Sequence, residues 1–323
     1  MMRVSSLFAT VKEEERAMMA NSSKFNSKHT AGYIHICKGP RTKSASALAL
    51  LFLVLFVKLL EAAEPKQETL RAWDEYIRIV NLNAAKSAAG DSQFLWTDES
   101  QDMARRLQQN EVVITDHDPN EVPQGIIHDW VGAVFVPNVT LDQALSVIEN
   151  YDRYNEFYQP LVRKCTILAR DGDRVKLNVV ATQKAFSVTA AVKTDEQVQI
   201  VRLGPRKAYI TSSAIRVQEI ADYGRPTEHP FPESRRPGYV WREVTVQRLE
   251  ERDGGVYVEL ETVVLSRGIP QGFRWLIKPI VDELPRKLML DTLNDTRTAV
   301  MQGAQLSRPQ RAALNTEPVT NRH

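Results

Sequence analysis

Among the side chains able to do chemistry, His128 and Asp129 stand closest together, within an apolar and β-branched run at 126–136. A histidine beside a carboxylate suits general acid/base work next to a carbonyl, as enolisation requires. Neighbouring residues on a strand point to opposite faces, so the two cannot enter one cavity, and a solvent-facing histidine is the plainer expectation. Of the other histidines, His29 and His35 lie near the N-terminus, His117 in a polar stretch, His229 in a proline-rich loop and His323 at the end. Asp282 and Glu283 precede Pro285 and fit the acidic start of a helix better than a catalytic dyad. Cys165, in the apolar setting LVRKCTIL, reads as a small buried hydrophobe rather than a nucleophile. No HExxH, paired CxxC, GxSxG, P-loop or GxGxxG occurs, and no cluster has metal-ligand spacing. No catalytic residue, cofactor or metal is expected.

What remains is a chain of 323 residues, 43% hydrophobic, with 42 basic and 40 acidic side chains, which is the composition of a globular protein with a real core. Residues 1–63 hold nine of the basic and four of the acidic residues, so the basicity lies in the leader and the rest is slightly acidic. Nucleic acid is excluded as a partner on that distribution. The run ASALALLFLVLFV at 45–57 is preceded by Lys38, Arg41 and Lys43 and followed by small residues at Ala62 and Ala63, a signal-peptide pattern. Its thirteen residues reach about 20 Å as a helix, short of the roughly 30 Å hydrocarbon core. The expectation is export to the periplasm or beyond, with a signal anchor in the inner membrane as the alternative. Met18 or Met19 would make better initiators than Met1. Cleavage near Ala62 leaves Cys165 alone, so no internal disulfide is expected.

In the remainder, Leu70, Trp73, Ile77 and Val80 form one stripe of an amphipathic helix at 68–87, and a second short helix covers 100–109. The polar stretch 116–120 and Pro123 mark a boundary before the main body. The strand at 126–136 leads to Thr140, a helix N-cap, and to a second short helix ending at Pro160. Strands follow at 162–170, 174–181, 186–194, 197–203, 207–220, 239–250 and 255–266, the last two joined by the hairpin signal Asp253-Gly254-Gly255. In the final strand Val256, Val258, Leu260, Thr262 and Val264 share one face and Tyr257, Glu259 and Glu261 the other, so one face of an antiparallel sheet is expected to be buried. From Pro285 on, Leu288, Met289, Thr292, Leu293, Thr296, Ala299 and Val300 make a helical stripe that must cover that face. The organisation is therefore leader 1–63, helical extension 64–119, α+β domain 120–302 and frayed tail 303–323.

This order, with the segments VTLDQALSVIENYDRYNEFYQPLV and SRGIPQGFRWLIKPIVDELPRKLMLDTLNDTR, resembles the START-like (SRPBCC) superfamily, and within it exported bacterial polyketide cyclase/dehydrase or lipid-transport proteins. The resemblance covers about 120–302, and 68–302 for the subgroup. It implies a helix-grip fold whose curved sheet wraps a long C-terminal helix, with a cavity for a lipid, isoprenoid, sterol or polyketide-like molecule. Such a cavity is mostly apolar with a few orienting polar groups. The ligand-binding residues it points to are Trp130, Tyr158, Tyr209, Arg242 and Trp275, each of which could equally serve packing or an ion pair. Arg242 alternates with Val240, Val244 and Val246, which directs it to the cavity or to a sheet partner such as Glu243 or the strand of Glu259. The expected partner is a hydrophobic small molecule or lipid, with transient membrane contact; a cyclase/aromatase activity in the same cavity is the alternative.

Overall fold

The computed structural model describes residues 64–90, 92–185, 188–231, 240–268 and 274–314, with side chains described except at 118, 183–185, 188–190, 274–283 and 306–314. The leader 1–63 lies outside these. Helix α1 (Gln67–Ala89) is followed by a 3-10 turn at Trp96–Glu99 and α2 (Gln101–Gln108). Strands β1 (Val113–Val122) and β2 (Gly125–Pro137) lead to α3 (Leu141–Ile148), a 3-10 turn at Tyr151–Arg153 and α4 (Tyr154–Phe157). Then come β3 (Val162–Asp171), β4 (Arg174–Ala185), β5 (Val188–Arg202), β6 (Lys207–Ala221), β7 (His229–Pro230), β8 (Val240–Arg252), β9 (Gly255–Arg267) and α5 (Arg274–Leu314). The strands form one antiparallel sheet in the order β1-β2-β9-β8-β6-β5-β4-β3, with β7 pairing β6.

Local chemistry explains the boundaries. Thr140 and Gln143 form a reciprocal capping box that starts α3. Asp253 and Gly254 both take positive φ, 54° and 79°, in the two-residue turn that sets the β8–β9 register with Arg252 opposite Gly255. Strand β1 is absent from the sequence-based reading, which takes 116–120 as a boundary. It pairs along the sheet edge with β2, and its register shifts between His117 and Asn120, so the polar, proline-containing stretch sits in an edge irregularity. Strand β5 is one element instead of two, because the irregularity at Asp195/Glu196 shifts the register against β6 without ending the strand. Helix α5 begins at Arg274 rather than Pro285 and runs to Leu314, beyond the expected limit of 302, since Ala299, Val300 and Ala304 keep its apolar stripe on the core.

Both faces of the sheet are covered. On the concave face Val134, Val136, Leu177, Ile200, Ile210, Leu249, Val256 and Val258 pack with Leu141, Leu145 and Ile148 of α3 and Met289, Leu293 and Val300 of α5. On the convex face Trp73, Val80 and Ala84 of α1 pack with Ile127, Trp241, Val244, Val246, Val263 and Leu265. Beside them Phe94, Leu95 and Leu107 pack with Val113, Ala133, Phe135 and Tyr257. The expectation of one buried face is thereby corrected: the N-terminal extension seals the second.

Charges are enclosed under that extension. Arg248 donates to Glu259 at 3.2 Å and to Glu261 at 2.8 Å, and the Thr97 amide donates to Glu259 at 3.4 Å. Tyr76 of α1 donates to Asp129 at 2.7 Å, with His117 at 3.3 Å from the same oxygen. Burial pushes the Glu259 carboxyl up to about 7 against the pull of Arg248, and raises Glu261 as well. A raised carboxylate pKa penalises the ionised form in the folded state, so the penalty develops as pH rises from 4.5 to about 7 and is complete above that. Arg248→Met, which strands both carboxylates, is expected to cost about 3–5 kcal/mol in urea unfolding at about pH 8 and less at about pH 5, where the buried acid is protonated.

Candidate functional site

Register assigns the side chains of the concave face to rows across the strands. In one row Ala208, Leu249, Val258 and Val134 are all sealed from solvent. The next contains Ile200, Ile210, Gln247, Leu260 and Gly132. A side chain at Gly132 would meet Leu293 and Met289 at 2.8 Å, so the glycine is what lets α5 lie close to β2 here. Beyond it runs Val198, Ser212, Thr245, Thr262 and Trp130. The following row is Ile167, Leu177, Glu196 and Ala214, then Glu243, Val264 and His128, with Ala214 and Glu243 one step past the last paired residues Ser213 and Val244.

Solvent access changes along these rows. Where α3 and the C-terminal half of α5 press on the sheet, the inward residues are buried; Trp130, His128, Glu196, Ser212, Glu243, Thr245, Gln247, Thr262 and Val264 are only half-buried although they point the same way. These inward side chains keep part of their surface accessible. This accessible stretch of the concave face is aliphatic and aromatic with hydroxyls and carboxyls set into it, the composition expected of a small-molecule site.

Two acids dominate its electrostatics. Glu196 accepts from Thr194 at 2.8 Å and Ser212 at 3.0 Å. Glu243 is pushed up to about 7, first by burial and then by the charge of Glu196. The His128 ring is 3.0 Å from the Ser266 hydroxyl. Cys165 faces inward opposite Val179, and burial, helped by Glu196, pushes its thiol up to about 12, which keeps it protonated and unreactive. Tyr151, Tyr154 and Tyr158 stack in series, with ring centroids 5.2 and 4.9 Å apart.

The residues singled out in the sequence distribute unevenly. Trp130 stands on the concave wall. Tyr158 is 8% exposed and pairs its hydroxyl with Thr296 of α5 at 3.1 Å, joining the end of α4 to α5 within the packed core. Tyr209 is on the convex face, against the cluster of Phe94, Leu95 and Leu107. Arg242 is also directed to the convex side: it lies opposite Leu265 of the outer cluster and donates to the Trp241 carbonyl at 3.0 Å. The valines it alternates with, Val244 and Val246, are convex-face residues rather than inward ones, so of the two readings of Arg242 the cavity-facing one does not hold. Trp275 is on α5, and its side chain lies outside the described residues. His128 faces the concavity instead of solvent, while Asp129 turns to Tyr76, so the two do point apart. Glu196 and Ser212 escaped the sequence reading, and Glu243 entered it only as a sheet partner for Arg242. The hairpin could have found Glu243: pairing Arg252 with Gly255 puts Glu243 opposite Val264, a member of the inward stripe.

A long antiparallel sheet, two short helices after its second strand and a C-terminal helix laid in the concavity together make the architecture. The fold is a helix grip. Comparison with solved structures returns a STAR-related lipid transfer protein from Xanthomonas axonopodis at 15% identity, covering 58% of this chain and 98% of that one with a TM-score of 0.36. It also returns the Zhui aromatase/cyclase from a Streptomyces species at 11% identity, covering 63% and 98% with a TM-score of 0.37. Human STARD10 matches at 8% identity, covering 67% and 84% with a TM-score of 0.39. No family model and no curated protein matches the sequence.

Glu243 generates a stability prediction. Its folded-state pKa of about 7 stands above the ordinary 4.5, so its penalty is absent below 4.5, develops between these values and is complete above 7. Glu243→Gln should therefore stabilise the protein by about 2–3 kcal/mol at about pH 8 and leave it unchanged at about pH 4, read by urea unfolding.

Proposed function

We propose that this protein binds a hydrophobic or amphipathic small molecule, a lipid, isoprenoid, sterol or polyketide-like compound, between the concave sheet face and α5. The observation that carries this reading is the contrast along the rows, sealed at one end and partly accessible at the other. The driving force is burial of apolar ligand surface, about 0.8 kcal/mol per methylene, so about ten such groups give a gross 8 kcal/mol before the costs of association. No covalent step is needed. The apolar run at 45–57 supports export with the domain outside the cytoplasm, where the protein would take up or release its ligand at a membrane. Among the described residues no helix is long and apolar enough to cross a membrane.

One observation favours a second reading. A carboxyl held near neutrality on a cavity wall, as Glu243 is, suits a general acid or base, and a cyclase/aromatase acting on a polyketide-like substrate would need one.

Native mass spectrometry of the full chain from its own envelope fraction, followed by organic extraction, is expected to yield a stoichiometric apolar compound. Ala214→Trp, which places a large ring between Glu196 and Glu243, should abolish that recovery while leaving the circular dichroism spectrum intact. Recovery of nothing from the unaltered protein, together with failure to take up fatty-acid and sterol probes, would refute the binding reading.

A further inference from the structure

The cover over the convex face does not reach every strand. The clusters that α1, the 3-10 turn and α2 make on that side draw on β1, β2, β6, β8 and β9 and on Leu203, and hold no residue of β3, β4 or β5. Val175, Leu177 and Val179 of β4 point into the concave core, so Lys176, Asn178 and Val180 point the other way. Lys164 of β3 and Lys193 of β5 both stand opposite Val180 and therefore share this outer face with Lys176. At about 4.8 Å per strand the backbones of Lys164 and Lys193 are roughly 10 Å apart, and Lys176 lies about 13 Å along the strand between them.

The acids of this face are already matched. Asp195 stands opposite Arg216 and pairs with it at 3.8 Å, and Asp171 stands opposite Arg174 in the β3–β4 hairpin. The three lysines are left over: among the described residues no carboxylate pairs with Lys164, Lys176 or Lys193. Lys164 lies on an edge strand, where a cation deters pairing with a second sheet, but β4 and β5 are inner strands that need no such guard. Two bulges add apolar groups to the same face. In β3 Leu168 and Ala169 stand together against Lys176, and in β6 Ile215 and Arg216 stand together against Asp195, since a bulge sets two residues against one. Following the inward Ile167 and Ala214, both bulge residues turn outward, and Leu168 is 57% and Ile215 54% exposed, more than any other large apolar side chain described. Cations alone would suit any polyanion. Cations interleaved with two uncovered aliphatic side chains suit a surface that is anionic at its head groups and apolar beneath them.

We propose that the convex face of β3, β4, β5 and β6 docks on a bilayer surface carrying anionic phospholipid, with Lys164, Lys176 and Lys193 against the head groups and Leu168 and Ile215 at the acyl boundary. The docking face lies on the opposite side of the sheet from the proposed ligand region, so the two readings stand or fall separately. Each lysine contributes about a fivefold gain in partition onto an anionic surface, and three together give on the order of a hundredfold. Added salt screens the gain.

The test mixes the full chain with vesicles of phosphatidylcholine, with and without phosphatidylglycerol, and measures bound protein by co-sedimentation. Lys164→Gln, Lys176→Gln and Lys193→Gln combined should lower binding to the phosphatidylglycerol vesicles by about a hundredfold and leave binding to phosphatidylcholine alone unchanged. Glutamine in place of three exposed cations of the extension, Arg71, Lys86 and Arg105, should leave both within about twofold. Leu168→Ser combined with Ile215→Ser should also weaken binding to the anionic vesicles. Equal losses from the two sets of cations overturn the proposal, and so does an unchanged affinity after the serine substitutions. Soluble polyglutamate binding as tightly as the vesicles overturns it in favour of an acidic protein partner. Should the triple variant fail to fold, Lys164→Gln and Lys176→Gln singly, each expected to cost about fivefold, carry the same test.

Discussion

Strand β2 runs in unbroken antiparallel register with β9 from Gly125 opposite Arg267 to Pro137 opposite Gly255, and the placement of every functional group follows from that ladder. Alternation along an extended chain assigns even-numbered residues of both strands to the concavity and odd-numbered ones to the convex face. The hairpin at Asp253-Gly254 passes the same assignment to β8, and β8 passes it to β6 and β5. The fit of α5 against Gly132 then fixes how deeply the concavity is filled. Past that point the inward side chains keep part of their surface accessible.

Two carboxyls, Glu243 and Glu259, are both pushed to about 7, one on each side of the sheet. The similarity of the values hides a difference of kind. Glu259 is closed off at 0% exposure, with Arg248 and the Thr97 amide as partners, and its role is to tie the extension to the sheet. Glu243 lies on the concave face, partly accessible, and its value is set by burial together with the charge of Glu196.

The fold was legible in the sequence because its signals are local. Thr140 and Gln143 mark α3, Asp253-Gly254 marks the last hairpin, and the stripe from Met289 to Val300 marks the closing helix. The edge strand β1 was not, because its polar residues around Pro119 read as a loop and only pairing with β2 makes them a strand. The site was less legible than the fold, for a reason of periodicity. Val244 and Val246 look like a core stripe, and they are one, but the core is that of the convex face, which exists only because α1 supplies Trp73 and Val80 from far away in sequence. Apolar residues alone do not tell which side of a sheet is inside when both sides are covered. The polar intervening set, Glu243, Thr245 and Gln247, was the one turned toward the concavity. Glu196 depended on an irregularity in pairing with β6 that leaves no mark in the residue types.

The use of both faces of β8 and β9 also bears on how such a chain can change over evolutionary time. A single-residue insertion within β9 would exchange Val258, Leu260 and Thr262 for Tyr257, Glu259 and Glu261, emptying polar groups into the cavity and apolar ones under the extension at once. A sheet with one wet face could absorb half of that exchange; this one can absorb neither half. Length variation is therefore excluded from the central strands and confined to the connections, and relatives of this chain should diverge by substitution in the strands while their loops drift freely in length.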